Sequence, residues 1–109
     1  MADTEFKYSN KYRILIEEIT RSYYKIFLFG AHKNSTHYVT VTNKDWAFLT
    51  QKKIPITTLL EFSFNFLLER EPNTSIMKEF EILTISKYYS NYEEHIKDYC
   101  LAFCENNIT

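Results

Sequence analysis

The first third of the chain alternates side chains with a period of two, which is typical of β-strands. Near its start, Tyr12, Ile14 and Ile16 occupy alternate positions. The same segment also places Ile16 and Ile19 on one helical face with Tyr12. A strand is the preferred interpretation because residues 22–29 need a neighbouring strand, although the residues alone leave both alternatives open.

The next two segments extend this pattern to a sheet. Residues 22–29 are dense in aromatic and β-branched side chains and are followed by Gly30, the only glycine in the chain. Residues 37–42 alternate valine with tyrosine and threonine. We therefore predict a three-stranded antiparallel meander over residues 12–42, with one face toward the core.

A helical period replaces the alternation after Asn43, whose side chain suits the N-cap of a short helix over residues 44–50. Further along, apolar side chains recur three and four residues apart and predict a main helix over residues 56–71. Pro72 is expected to stop this helix. Its apolar stripe consists of Ile56, Leu59, Leu60, Phe64 and Leu67.

Two alternatives mark the start of the main helix. Thr58 and Glu61 have the spacing of a capping box, in which each side chain bonds to the other residue's backbone N–H. Pro55 could instead mark the first helical turn, where a backbone N–H has no partner within the helix.

The last third of the chain predicts a second main helix, over residues 91–105. Residues 76–80 are expected to form a short helical turn before it, and Ser90 with Glu93 has the spacing of a capping box at its start. Its apolar face consists of Tyr92, Ile96, Tyr99, Cys100 and Phe103.

Together these elements predict an α+β fold. The expected architecture is a three-stranded meander packed against two main helices, over residues 56–71 and 91–105, with short helices beside them. The 109 residues suit a single domain whose core needs no disulfide or metal. Residues 1–10 are polar and are expected to be frayed.

Composition and charge exclude several classes of function. With one glycine, the chain has no glycine-rich loop to cradle a phosphate, and no cofactor is expected. Its 13 Lys and Arg against 14 Asp and Glu give a formal net charge of -1. Such a balance provides no bulk attraction to nucleic acid or to an anionic membrane.

The sequence also predicts a cytoplasmic protein. It contains no run of about 18 apolar residues that would span a bilayer, and residues 1–10 lack the apolar segment of a signal peptide. Cys100 and Cys104 are therefore expected to stay reduced. Two thiols on one helical face supply only half of a four-ligand site, so no metal site is predicted.

No spacing in the sequence indicates catalysis, and no catalytic residue is assigned. His32, His37 and His95 have no neighbouring nucleophile or acid in the local sequence. Glu69 and Glu71 lie two residues apart at a helix end and point to different sides. We therefore expect a protein that is not an enzyme.

Nucleic-acid binding is the alternative function that the middle of the chain suggests. Residues 33–53 are locally basic, because Lys33, Lys44, Lys52 and Lys53 stand against Asp45 alone. Tyr38, on a nearby strand, could stack on a base of a single strand.

The order of a strand over residues 37–42 and helices over residues 44–50 and 56–71 resembles ribbon-helix-helix repressors. In that family, strands from two chains pair and enter the major groove. The outward side chains of this strand are tyrosine and threonine instead of cationic or amide groups. The strands predicted over residues 12–29 would also occupy the edge needed for pairing, so this resemblance ranks second.

Residues 63–72 end in the phrase Leu-Leu-Glu-Arg-Glu-Pro, the most distinctive of the chain. Together with the aromatic pair at 88–89 and the strand at 37–42, this phrase resembles short uncharacterised bacterial proteins with the same helix end. The resemblance covers residues 37–96. It implies a bacterial source and a small standalone domain, and it brings no activity. Ser90 stands where the resemblance would place a proline.

The excess of aromatic side chains favours a protein–protein interaction or self-association domain. The chain has nine Tyr and nine Phe, more than one core of this size needs. Exposed aromatic clusters mark interfaces, and a homodimer is the commonest soluble assembly. The predicted interaction residues are Phe62, Phe66, Tyr88, Tyr89 and Tyr92.

Overall fold

The computed structural model describes residues 12–30 and 33–106, which form a mixed four-stranded sheet with α-helices packed against one of its faces. The fold class is α+β, as predicted. The expected fraying of residues 1–10 lies outside the described residues.

The first three strands form the predicted antiparallel meander. They are β1, Arg13–Thr20, β2, Tyr23–Phe29, and β3, Ser35–Thr40. β1 pairs with β2, and β2 pairs with β3. The strand interpretation of residues 12–19 is confirmed, while the third strand begins and ends two residues earlier than its alternation suggested.

A fourth strand, β4, Glu79–Glu81, lies parallel to β3 and completes the order β1-β2-β3-β4. The predicted helical turn over residues 76–80 is therefore wrong. The backbone N–H of Tyr38 donates to the Lys78 carbonyl at 2.7 Å. Since an unpaired strand edge leaves backbone groups unsatisfied, this pairing favours extended backbone over a helix. A 3-10 helix, Asn73–Ser75, precedes the strand.

The described residues contain two main helices and two short ones. The main helices are α2, Ile56–Leu68, and α4, Tyr92–Asn106, and both confirm their predicted positions. The short helices are α1, Asn43–Thr50, and α3, Thr84–Tyr88.

The helix ends differ in detail from those predicted. Thr42, and not Asn43, is the N-cap of α1, because its Oγ1 accepts a hydrogen bond from the Asp45 backbone N–H at 3.1 Å. Pro55 occupies the N-cap of α2, so the predicted capping box does not form there. α2 ends three residues early, where two backbone N–H groups turn back to the Leu67 carbonyl.

The core lies between the sheet and the main helices. Tyr24, Ile26 and Leu28 alternate along β2 and are buried beneath the helices. Phe64 of α2 packs against Phe80 of β4, with ring centroids 6.1 Å apart. The intervening side chains of β2 point to the opposite face of the sheet and are half-buried.

Gly30 follows β2 because a larger residue would not fit there. A Cβ at this position would overlap the ring of Tyr12 and would lie 2.7 Å from the Lys33 carbonyl oxygen. Tyr12 in turn donates from its hydroxyl to Asn73 Oδ1 at 2.9 Å. The missing side chain thus lets the Tyr12 ring lie against Gly30, from where its hydroxyl reaches the 3-10 helix.

A buried hydrogen bond joins the two main helices. The hydroxyls of Ser63 in α2 and Tyr92 in α4 lie 2.6 Å apart, and both side chains are fully buried. Ser63 gives its only hydrogen to the Leu59 carbonyl at 2.7 Å, so the Tyr92 hydroxyl must donate to Ser63. Burial raises the pKa of the Tyr92 hydroxyl, which keeps it protonated and able to donate.

Replacing Tyr92 with Phe removes this donor and leaves the ring in place. We expect the free energy of unfolding to fall by about 1 kcal/mol, as is typical for one buried hydrogen bond. Urea denaturation measures the change. Tyr88→Phe, at a position that is 67% exposed, is the control and should change stability by less than about 0.5 kcal/mol. An equal loss in both variants would contradict this role for Tyr92.

Candidate functional site

The five aromatic residues predicted to form an exposed interaction surface divide between core and surface. Phe66 and Tyr92 are 3% and 0% exposed, so the predicted exposure of these two is wrong. Phe62 and Tyr89 are half-buried, whereas Tyr88 is exposed. The spacing of α2 places Phe66 on the face that packs against α4, where burying a ring stabilises the fold most.

Tyr88 and Tyr89 line a pocket of about 260 Å³ between the end of α2, the segment leading to β4, and α3. Most of its wall is apolar. Met77 and Tyr88 lie at the exposed side of the pocket, with Met77 39% exposed. The apolar lining consists of Leu67, Ile76, Met77, Phe80 and Ile85.

The pocket contains one charged group, the carboxylate of Glu71. The Tyr89 hydroxyl donates to Glu71 Oε2 at 2.7 Å. Burial, with this hydrogen bond, raises the pKa of Tyr89 to about 12, so the hydroxyl stays protonated and holds the carboxylate in place. Within the described residues, the other Glu71 oxygen accepts no hydrogen bond, and no lysine or arginine lines the pocket.

The wall formed by Tyr89 is supported from behind by other aromatic rings. Phe66 meets both Tyr89 and Tyr92 edge-to-face, with centroids 5.7 and 5.3 Å apart. The Arg70 guanidinium lies 3.6 Å from the Phe66 ring centroid and donates to the Phe66 carbonyl at 2.8 Å. The opening is therefore preformed by packed side chains, because Tyr89 cannot turn inward without disturbing this cluster.

A buried histidine connects the sheet to the pocket wall. His37 of β3 is 1% exposed, and its ring lies beside Phe64, with centroids 5.6 Å apart. Its Nδ1 is 2.7 Å from the Met77 carbonyl oxygen, so Nδ1 carries the hydrogen and donates. Its Nε2, 2.8 Å from Ser35 Oγ, accepts from that hydroxyl. His37 thereby fixes the backbone of Met77, which lines the pocket.

The network continues from Ser35 to the start of the sheet. The Asn73 side-chain amide donates to Ser35 Oγ at 2.9 Å and to the Lys33 carbonyl at 3.0 Å. Asn73 Oδ1 accepts from Tyr12, as described above. Asn73 is itself 2% exposed. Asn73, in the 3-10 helix, therefore connects Tyr12, just before β1, with Ser35 of β3.

The hydrogen bonds of His37 connect structural elements of the fold. The hydrogen-bonding partners of His37 are a serine hydroxyl and a backbone carbonyl, so no carboxylate orients the ring as in a catalytic triad. Burial lowers the pKa of the imidazole, with a smaller contribution from Lys78, while the Met77 carbonyl opposes this shift. His32 lies outside the described residues.

Cys100 also lacks the surroundings of a reactive thiol. Cys100 is buried, and burial raises the pKa of its thiol, with the nearby Cys104 adding to the shift. A thiol with a raised pKa is a poor nucleophile at neutral pH. Across residues 12–30 and 33–106, no three His, Cys, Asp or Glu side chains form a group that could hold a metal ion.

The residues predicted for nucleic-acid binding do not converge. Tyr38 stacks on Tyr23 on the outer face of the sheet, with centroids 5.8 Å apart, and lies opposite Glu79 in the strand register. Lys52 and Lys53 line a cleft on the other side of the sheet, beside Tyr24. Lys44 is exposed in α1.

The sheet also contradicts the ribbon-helix-helix organisation that the sequence order suggested. The strand that this organisation requires, β3, pairs with β2 on one side and with β4 on the other. It has no free edge with which to pair a second chain, because β4 occupies the edge that the sequence pattern left open.

Sequence reasoning found Tyr88 and Tyr89 but missed the rest of the pocket. The sequence pattern predicts a helical turn that includes Ile76 and Met77, and it places Glu71 at a helix end without assigning it to a site. Only the apolar character of residues 76–85 was visible, and it has no clear period that would indicate which side chains face a cavity.

Among the described residues, no helix combines the length and the apolar character needed to cross a membrane. Comparison with protein-family models, curated proteins and solved structures finds no match for this chain. The resemblance to short bacterial proteins and the cytoplasmic location stay predictions.

Acidification is expected to destabilise the protein through His37. Its pKa in the folded chain lies below the unfolded value of about 6.5, so the unfolded state binds the proton first. The free energy of unfolding should be highest above about pH 6.5 and should fall as the pH drops toward the folded pKa. Urea denaturation over this range measures the slope.

His37→Gln should lower stability at neutral pH and flatten this slope, since the group that titrates is gone. His95→Gln, at an exposed position of α4, is the matched control, and the difference in slope between the two variants measures the contribution of His37. An unchanged slope in His37→Gln would assign the pH dependence to other groups.

Proposed function

We propose that this protein is a non-enzymatic protein–protein interaction domain that holds an apolar side chain of its partner in the pocket beside Tyr89. The observation that carries this proposal is the pocket itself, preformed, apolar and flanked by the exposed Tyr88 and Met77. Exposed aromatic and methionine side chains beside an apolar depression are typical of protein interfaces.

The size of the pocket supports a side chain as the ligand. Pockets for small molecules and cofactors usually enclose roughly 300–1,000 Å³. At about 260 Å³, this pocket falls below that range. One aromatic or large aliphatic side chain fits such a volume, and the exposed rim then contacts the flanking residues of the partner.

The negative charge in the pocket supports a partner that carries a cationic residue next to the inserted side chain. The Glu71 carboxylate is held by Tyr89 and keeps one oxygen free for a second donor. Arg70 lies over the rings of Phe66 and Tyr89, 3.6 and 6.0 Å from their centroids, and its ion pair is with Glu69, at 3.5 Å. We therefore expect the partner to present an aromatic or large aliphatic residue next to a lysine or arginine.

Two capped dipeptides test this recognition. N-acetyl-Phe-Lys-amide carries the expected cation, and N-acetyl-Phe-Glu-amide carries the opposite charge on the same ring. Titration followed by NMR should move the backbone signals of Met77, Ile85 and Tyr88, with the lysine peptide binding at least about threefold more tightly. Glu71→Gln should abolish the difference between the two peptides.

Tyr88→Ala should weaken both peptides, because it removes one wall of the pocket. Phe48→Ala is the matched control, since Phe48 is an aromatic residue that is 62% exposed on α1, outside the pocket. Binding that is absent at millimolar peptide, or that responds equally to both alanine variants, would rule out this pocket as the interaction site.

A further inference from the structure

The two edges of the sheet differ in how they could meet another strand. β4 is only three residues long, and two of these are glutamates, Glu79 and Glu81. Any antiparallel pairing of β4 with its own copy about Phe80 would place Glu79 opposite Glu81, with like charges facing each other. Short, charged edges of this kind protect a sheet from association.

β1 is a longer edge strand, and its first five residues carry one charge of each sign instead of two like charges. It is eight residues long, contains neither proline nor lysine, and its irregularity lies at the far end, between Glu18 and Thr20. Within the described part of the chain, β1 has no strand on its outer side. Leu15, the middle one of these five residues, is 55% exposed.

We propose that two copies of this protein dimerise by antiparallel pairing of β1 with β1, about a twofold axis at Leu15. In this register, Arg13 lies opposite Glu17 of the second copy, and the twofold axis repeats this pair. Ile14 lies opposite Ile16 in the same way, and Leu15 faces its own copy. The two sheets become one sheet of eight strands.

Charge complementarity selects this occupant and this register. Arg13, Leu15 and Glu17 share the outer face of the sheet, because their partners in β2 are the half-buried residues of that strand. Glu17 already lies opposite Lys25 of β2. The dimer would therefore create a row of alternating charge across the seam, from Lys25 through Glu17 to Arg13 of the second copy.

Neighbouring registers are unfavourable. An axis at Ile16 would place Glu17 opposite Leu15 and Glu18 opposite Ile14, which pairs carboxylates with apolar groups. An axis at Glu17 would place two carboxylates directly opposite each other. Only the axis at Leu15 matches apolar with apolar side chains and opposite charges with each other.

The inner face of the seam would also gain by pairing. Ile14 and Ile16 pack against the core but stay half-buried in the single chain. Pairing would cover their remaining surface with the same residues of the second copy. The proposal is independent of the pocket, which lies near β4 at the opposite edge of the sheet and would stay open in both copies.

A charge exchange tests the register, with the dimer dissociation constant measured by analytical ultracentrifugation at micromolar concentrations. Arg13→Glu and Glu17→Arg should each raise this constant about tenfold, because each places like charges at two symmetry-related positions. The double variant restores opposite charges and should return to within about threefold of the unaltered protein. Glu18→Arg is the matched control, with the same charge change but no charged residue opposite, and should stay within about threefold.

Disulfide trapping tests the position of the axis. Opposite residues of antiparallel strands have Cα atoms about 4.5–5.5 Å apart, which a disulfide can bridge. In a chain carrying Cys104→Ser, Leu15→Cys should form a crosslinked dimer on mild oxidation. Ile19→Cys, on the same strand, should not, because its two copies would be about 27 Å apart.

Each outcome decides the proposal. A chain that stays monomeric at these concentrations would overturn it. A dimer that ignores both charge reversals, or that the double variant fails to restore, would also overturn it, since another surface would then form the contact. These results leave the peptide test of the pocket unaffected.

Discussion

The pairing of β3 with β4 is the constraint on which the rest of this structure depends. β3 is an interior strand of the sheet, and its buried backbone groups need hydrogen-bonding partners on both sides. The Tyr38 N–H and the Thr40 carbonyl hydrogen-bond to the segment that follows α2 and contains β4. His37 adds a side-chain bond to the Met77 carbonyl beside this ladder. The segment therefore brings Met77 and Phe80 against α2, and the pocket forms between them.

Several aromatic residues after residue 60 pack into one cluster beside the pocket. Phe66 is buried where α2 meets α4, its ring packs edge-to-face against Tyr89, and the Arg70 guanidinium lies over the Phe66 ring. Tyr92 joins the same cluster and bonds to Ser63 across the helices. A buried layer of this kind holds the pocket wall rigid, so a partner would not have to order the wall on binding.

The two sheet edges have opposite characters, and this asymmetry separates the two proposed contacts. β4 is short and acidic, and it borders the pocket. β1 is long, and its charges complement each other under twofold rotation about Leu15. A dimer formed through β1 would carry two pockets at the far ends of one continuous sheet, so each copy could meet its partner independently and a bivalent partner would bind more tightly.

The sequence by itself determined the meander and both main helices, because periods of two and of 3.6 are local properties that burial on one side imposes. It also singled out Tyr88 and Tyr89, which line the pocket. It did not determine β4, since three residues carry too little pattern, and their extended form depends on a free edge of β3 distant in the chain. Nor could it separate Phe66 from Tyr88, because both are aromatic and only the packing of α2 against α4 decides which ring is buried. Contacts between segments that are distant in the chain decide both the extended form of β4 and the burial of Phe66, and a local sequence pattern does not contain them.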